Sequence, residues 1–231
     1  MKLILKTMSM SLLVMALAAQ SLQGMRPIDQ PVQERNGRND RTMLMICAKN
    51  GYLAGVKRTV DEEGADVNVV TSYGNALHGA AEGGNPEVAQ FLLDRGARVD
   101  ERNEYGSTPL FIAASHGSLD VARVLLDNGA NPVNAQDQYG NTILAEAIKS
   151  VGTGGEHFEI IKLLIARGAS PWLTDRWGST ALEVVEDAMT WKGEDLLEEL
   201  QDIATYIKRY SMQVSVREKG KGTQDINFKF Q

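Results

Sequence analysis

The chain has one cysteine, six prolines and three histidines among its 231 residues. With Cys47 alone, no intramolecular disulfide can form, so stability must come from packing. A catalytic cysteine would also need a histidine in contact with it, and no local pairing of that kind is visible. Aromatic side chains are few, at six tyrosines, five phenylalanines and three tryptophans. Alanine, leucine and glycine are plentiful, which favours close packing of small-residue helices. Basic residues number 24 against 30 acidic ones, for a formal net charge of −6. They form no block, so a nucleic-acid partner has no electrostatic footprint to meet and is not expected.

Long apolar runs are also missing, apart from one at the start. In MKLILKTMSMSLLVMALAAQSLQG, Lys2 and Lys6 precede an apolar stretch from about Met8 to Ala19, then small residues. This is the layout of a secretory signal peptide, here read as residues 1–24. Ala16-Leu17-Ala18 and Ala19-Gln20-Ser21 offer small-x-small cleavage sites. The alternative is an uncleaved anchor, but the run is shorter than the roughly 20 residues a spanning helix needs. No cysteine lies near the cut for a lipid anchor. Loss of the two lysines would take the net charge from −6 to −8, and the mature chain is expected in the periplasm or fully secreted, with no stable membrane span. Residues 25–38 (MRPIDQPVQERNGR) are polar with two prolines and read as a linker.

What the rest of the chain does have is repetition. TMLMICAKNG, NALHGAAEGG, TPLFIAASHG, TILAEAIKSVG and TALEVVEDA recur with their leucines at 44, 77, 110, 144 and 182, a period of 33 to 38 residues. In the best copy, Thr108 can cap a helix, Pro109 suits its first turn and Gly117 ends it. A helix this short is marginal alone and needs neighbours. A second helix follows in each period: PEVAQFLLDRGA, LDVARVLLDNGA and FEIIKLLIARGA align. Their apolar faces (Val88, Phe91, Leu92; Val121, Val124, Leu125; Ile160, Leu163, Leu164) end at Gly96, Gly129 and Gly168. A fixed period of this length is the mark of a solenoid.

Period and motif together resemble the ankyrin repeat. Asn75-Ala76-Leu77-His78-Gly79-Ala80-Ala81 and Thr108-Pro109-Leu110-Phe111-Ile112-Ala113-Ala114 follow its signature, and Gly64–Asn68 and Asn134–Asp137 follow its finger loops. The resemblance implies an all-α solenoid of about five helix-turn-helix units over residues 39–210, namely 39–72, 73–104, 105–138, 139–176 and 177–210. The terminal units are degenerate. Unit 1 lacks the leading glycine and offers only Val56, Thr59 and Val60 from its second helix; unit 5 has Glu186 where an alanine is expected. End units have one face in water, so such degeneration is expected. In the last helix, Glu194, Asp195, Glu198 and Glu199 come early and Lys208 and Arg209 late, which suits its dipole. In unit 2, Asn75 takes over the cap. Unit 4 carries about five extra residues, SVGTGGEH, between its helices. Residues 211–231 read as a loose tail, with room for a short strand.

Chemistry is thin. The inserted GTGGEH lacks the Gly-Lys-Ser/Thr of a phosphate loop, so a turn extension is the simpler reading. His78, His116 and His157 fall in successive units. Packed helices stand ~8–10 Å apart, whereas zinc holds its nitrogens at about 2.0–2.1 Å, so a shared metal site is not expected. His78 occupies the signature's histidine, which the resemblance implies is a brace for the turn. No cofactor and no small-molecule substrate are expected. An enzyme with a site in the unit 4 insertion or the tail, or a purely structural spacer, are the other readings; a converging polar pocket would mark the first, and a surface where no side chain matters the second.

The resemblance implies a non-enzymatic module that binds a protein through loop tips and the exposed ends of the first helices. On this chain the tips are Ser72-Tyr73, Glu104-Tyr105, Gln138-Tyr139 and Arg176-Trp177. Asn75, Ser107, Asn141 and Ser179 lie just past each turn glycine, and Glu82, Ser115, His116, Lys149 and Ser150 end the first helices. Tyr73, Tyr105, Tyr139 and Trp177 stand in register. They are either a recognition stripe or aromatics that pack on adjacent loops.

Overall fold

The structure, a computed structural model, describes residues 41–132 and 135–220. The expected leader and linker, residues 1–24 and 25–38, lie outside the described residues. Among the described residues ten α-helices form five pairs. Unit 1 holds α1 (Met43–Lys49) and α2 (Leu53–Lys57), unit 2 α3 (Ala76–Gly83) and α4 (Pro86–Asp94), and unit 3 α5 (Pro109–His116) and α6 (Leu119–Asp127). Unit 4 holds α7 (Ile143–Lys149) and α8 (His157–Ala166), and unit 5 α9 (Ala181–Trp191) and α10 (Leu197–Gly220). No strand forms among the described residues, only two isolated bridges, Thr71 to Gly74 and Gln136 to Thr142. The odd-numbered helices stack in one layer and the even-numbered ones in a second, each touching its counterpart in the next unit. This is the all-α solenoid expected from the period.

Each first helix starts at a side-chain cap. Thr42, Thr108, Thr142 and Thr180 accept from the backbone N–H of Met45 (3.2 Å), Phe111 (3.2 Å), Ala145 (3.1 Å) and Glu183 (3.4 Å). Asn75 does the same in unit 2, accepting from Leu77 (3.1 Å) and His78 (3.3 Å), as the missing threonine requires. The period leucines Leu44, Leu77, Leu110 and Leu144 are buried, and Leu182 of the last unit is half-buried. Ala80, Ala81, Ala113, Ala114 and Ala147 are fully covered, so the inner layer packs through side chains too small to hold helices apart. In the outer layer the buried face is rotated slightly from the expected one. Ala89, Ala122 and Ile161 go inside, while Val124 and Leu163 stay half-exposed.

Unit 1 bears out its weak second helix: α2 has one α-turn, then widens into a π turn over Arg58–Glu62. Val56 and Thr59 are buried there and Val60 partly so. Thr59 donates back to the carbonyls of Gly55 (3.0 Å) and Val56 (2.9 Å), a local bond that competes with regular helix. At the other end the structure corrects the reading of the tail. Helix α10 runs on to Gly220, so residues 211–220 are helical rather than loose. Lys208 and Arg209 consequently lie mid-helix, not in the last turn; Lys208 pairs with Glu186 at 3.1 Å. Residues 221–231 lie outside the described residues.

The unit 4 insertion docks as part of the stack. Gly155 lies so close to Gly117 that a Cβ on either would sit 2.7 Å from the other's Cα, and the N–H of Glu156 donates to Gly117 O at 3.0 Å. His157 reaches Ser115 O at 3.3 Å.

His78 ties unit 2 to unit 3. It is buried, and its Nε2 lies 3.0 Å from Ser107 O. A carbonyl can only accept, so Nε2 carries the proton, and Nδ1 accepts from the backbone N–H of Asn75 at 3.2 Å. His116 is exposed and turned back to Ile112 O at 3.0 Å. Cys47 is buried on α1, and burial pushes its thiol up to about 11, which leaves it unreactive at neutral pH.

Two measurements check this packing. Leu110 is 1% exposed; Leu110→Ala is expected to cost about 2–5 kcal/mol in urea melts. Protection from hydrogen exchange should fall in α3 and α7 as well as α5, and a loss confined to α5 would contradict the stacking. Burial lowers the His78 pKa from 6.5 to about 4. The folded state thus prefers the neutral ring, so the stability it adds is complete above pH 6.5 and is lost as pH falls towards 4. The loss is up to ~1.4 kcal/mol per pH unit. His78→Gln should flatten the urea midpoint over that window, and an unchanged slope would remove His78 as its source.

Candidate partner-binding surface

The loop tips are built by one repeated device. Two residues before each tip aromatic, a side-chain oxygen accepts from the aromatic's N–H and, in the later units, from the N–H two residues further on. Asn103 Oδ1 takes Tyr105 (3.0 Å) and Ser107 (2.9 Å). Asp137 Oδ1 takes Tyr139 and Asn141, both at 2.9 Å, and Asp175 Oδ1 takes Trp177 (2.9 Å) and Ser179 (3.0 Å). In unit 2 the shorter Thr71 reaches Tyr73 N–H at 3.3 Å. The sequence carries this signal as Asx-x-aromatic-Gly-Asn/Ser, and it went unread.

The tips are also joined to one another. Glu104 N–H donates to Ser72 O (3.2 Å) and Gln138 N–H to Tyr105 O (2.9 Å). Arg102 donates to Gln136 O (2.8 Å), and Gln136 Nε2 to Thr174 O (3.0 Å). Gly106, at φ +74°, lets this happen, since a Cβ there would come within 2.7 Å of Gln138 N.

Two of the expected contact residues are withdrawn from the surface. Asn75 is fully buried as the α3 cap, and Ser107 is buried in its turn with its carbonyl bonded to His78. Four are partly taken up by local structure. Asn141 donates to Asp137 Oδ2 (2.8 Å), Ser115 to Ile112 O (3.0 Å), and the half-buried Ser150 and Ser179 line turns. Glu82 is half-buried between Arg41 (2.7 Å) and Lys49 (2.6 Å). Burial pushes its carboxyl up, but the hydrogen bonds and charges of Arg41 and Lys49 outweigh that and hold it below the usual range. Ser72 is half-buried at the first tip, whereas Glu104, His116, Gln138 and Arg176 are exposed.

The aromatic row divides. Tyr73, at one end, packs against the core with the Arg41 guanidinium 4.5 Å from its ring centre. Trp177, at the other end, is 61% exposed, with Arg176 (4.0 Å) and Lys149 (4.5 Å) near its ring centre. Tyr105 and Tyr139 are 43% and 48% exposed and have no cation or ring against them among the described residues.

The position four residues past each cap is held by Ile46, Gly79, Ile112, Glu146 and Val184, and at Gly79 it lies against the backbone of the preceding first helix, where a Cβ would come within 2.7 Å of Met45 O. Glu146 is the one charge in that row, and sequence reasoning missed it. It is half-buried, with no hydrogen bond or ion pair to its carboxylate among the described residues. Burial raises its pKa above the usual carboxylate range; Asp137 adds to this, while Lys149 and His116 oppose it. Lys149, one turn on, pairs instead with the buried Asp175 at 3.6 Å.

Comparison with known proteins settles what this stack is. The family model for ankyrin repeats (3 copies) matches residues 13–103 and 77–175. The chain is an ankyrin-repeat protein. The family is generally non-enzymatic and works through protein partners. Over 135 residues the chain is 34% identical to an ankyrin repeat and KH domain-containing protein of Caenorhabditis briggsae, covering 57% of this chain and 5% of that one. Over 146 residues it is 34% identical to a probable 26S proteasome regulatory subunit p28 of Saccharomyces cerevisiae, covering 62% of each. It is 30% identical over 141 residues to the human transient receptor potential cation channel subfamily A member 1, 60% of this chain and 12% of the channel. The chain thus spans less than two thirds of the length of these relatives. Among the described residues no helix is long and apolar enough to cross a membrane.

Proposed function

We propose that this ankyrin-repeat chain is an exported, non-enzymatic scaffold that holds a protein partner across its loop tips and the adjoining face of its first helices. The observation that carries the reading is the middle of the aromatic row. Tyr105 and Tyr139 stand half-exposed on turns fixed by Asn103 and Asp137 and bonded to each other's backbone. Exposed tyrosines on a rigid frame are costly to leave in water and lose little freedom on binding, which is the character of interface anchors. Trp177, with its flanking cations, extends the same edge. Export rests on Lys2, Lys6 and the apolar run behind them.

Tyr105→Ala and Tyr139→Ala are each expected to weaken partner binding by about 2 kcal/mol or more, near thirtyfold, while melting shifts little. Titration calorimetry and thermal melts on the same two variants check this; lowered melting with unchanged affinity would assign the tyrosines to loop packing. For export, the mass of the protein recovered from outside the cytoplasm should lack the segment up to Ala18 or Ser21. An intact Met1–Lys6 on that protein would refute cleavage.

A further inference from the structure

The two ends of the aromatic row carry the same parts, and only the first end is complete. There Arg41 lies over the Tyr73 ring at 4.5 Å, and Lys49 stands seven residues past the cap Thr42. Both hold the carboxylate of Glu82, seven past the cap of the next unit, at 2.7 Å and 2.6 Å. The far end repeats the ring and the cations. Arg176 lies over Trp177 at 4.0 Å, and Lys149, seven past Thr142, comes within 4.5 Å of the same ring. Arg41 comes from just before a cap and Arg176 from the tip itself, but each brings a guanidinium to a tip ring. The carboxylate is what differs. Asp187 takes the place of Glu82 in unit 5, seven past Thr180, but it is one methylene shorter and makes no ion pair among the described residues. A guanidinium over a ring uses its face and keeps its N–H groups free in its plane. Those of the exposed Arg176 meet no acceptor among the described residues. Lys149 has Asp175 at 3.6 Å, longer than a hydrogen bond. Asp175 is buried and accepts from the N–H groups of Trp177 and Ser179, so one carboxylate fixes both the ring's backbone and the lysine.

We propose that Arg176 and Trp177 receive an acidic side chain of the partner protein, its carboxylate on the Arg176 N–H groups and its apolar neighbour against the indole, with Lys149 adding positive charge. This rests on the reading of the tips as a partner surface. The paired N–H groups of a guanidinium match the two oxygens of a carboxylate. Glu82 on Arg41 and Lys49 is the chain's own example of that bond beside a tip ring. An ion pair in open water is worth little, so the indole is part of the site: Trp177 is 61% exposed, and an apolar residue laid on it removes water from ring and ion pair together.

Acetyl-Leu-Glu-Leu-amide is the probe, titrated into the full chain and followed by the indole N–H signals in NMR, with acetyl-Leu-Gln-Leu-amide as its neutral analogue. A saturable shift of the Trp177 signal is expected, with the glutamine peptide weaker by about fivefold or more. Trp191 is the internal control, an exposed indole with Lys192 4.7 Å from its ring and no arginine over it, and its signal should stay in place. Arg176→Gln should remove the preference for glutamate while the melting temperature holds, because the Arg176 head bonds nothing else. Equal binding of the two peptides, equal shifts of both indoles, or a variant that keeps the preference would each overturn the site. Inorganic phosphate that shifts Trp177 as strongly as the glutamate peptide would overturn its assignment to a side chain. A partner that loses affinity to Tyr105→Ala but not to Arg176→Gln would keep the interaction surface and overturn the carboxylate site alone. A partner that loses affinity to Arg176→Gln while both tyrosine variants bind in full would do the reverse.

Discussion

Every apolar face in this molecule is completed by the unit beside it. The first helices are seven to eleven residues long, too short to persist alone, and alanine is the commonest residue on their buried sides. An alanine face gains little from burial unless another backbone comes close, and close approach is what Ala80, Ala81, Ala113 and Ala114 permit. The polar braces follow the same logic. His78 reaches Ser107 of the next unit, His157 reaches Ser115 of the previous one, and Arg167 meets Asp127 at 2.8 Å across the outer layer. Stability is therefore a property of junctions, and the degenerate π turn lies in unit 1, the first of the described units.

The same dependence shapes the tips. Their backbone bonds run from one unit to the next, so the position of Tyr139 is inherited from that of Tyr105, and Tyr105's from Ser72. A surface of this kind is ordered before any partner arrives, and little of the binding free energy goes into arranging it. Cations already resting on the end aromatics are part of that order.

Most of the fold was legible because repetition multiplies a weak signal. One Thr-Pro-Leu is a guess; five caps in register, including Asn75 standing in for threonine, leave one architecture. The end of α10 was not legible, since SMQVSVREKG alternates apolar and polar residues as a strand would, and the helix it continues overrides that pattern. The site was legible by position but not by state. Counting from the glycines found Tyr105 and Tyr139, yet it also put Asn75 and Ser107 on the surface, because a small polar residue beside a turn looks the same whether its bonds go to water or to a helix start. Glu146 escaped because a glutamate on a helix is ordinary until the other four members of its row are compared.

The loop between α7 and α8 reaches both ways. Gly155 rests against Gly117 of unit 3, while Val151 O accepts from Lys192 and Gly152 meets Leu196 in unit 5. Unit 4 is keyed to two specific neighbours, which breaks the interchangeability that repeats otherwise enjoy. Duplicating, deleting or transplanting it would leave the Gly117 notch open on one side and the Leu196 seat empty on the other. The array has a fixed order, and growth or shortening of the stack by whole repeats is confined to the junctions on the amino-terminal side of unit 3.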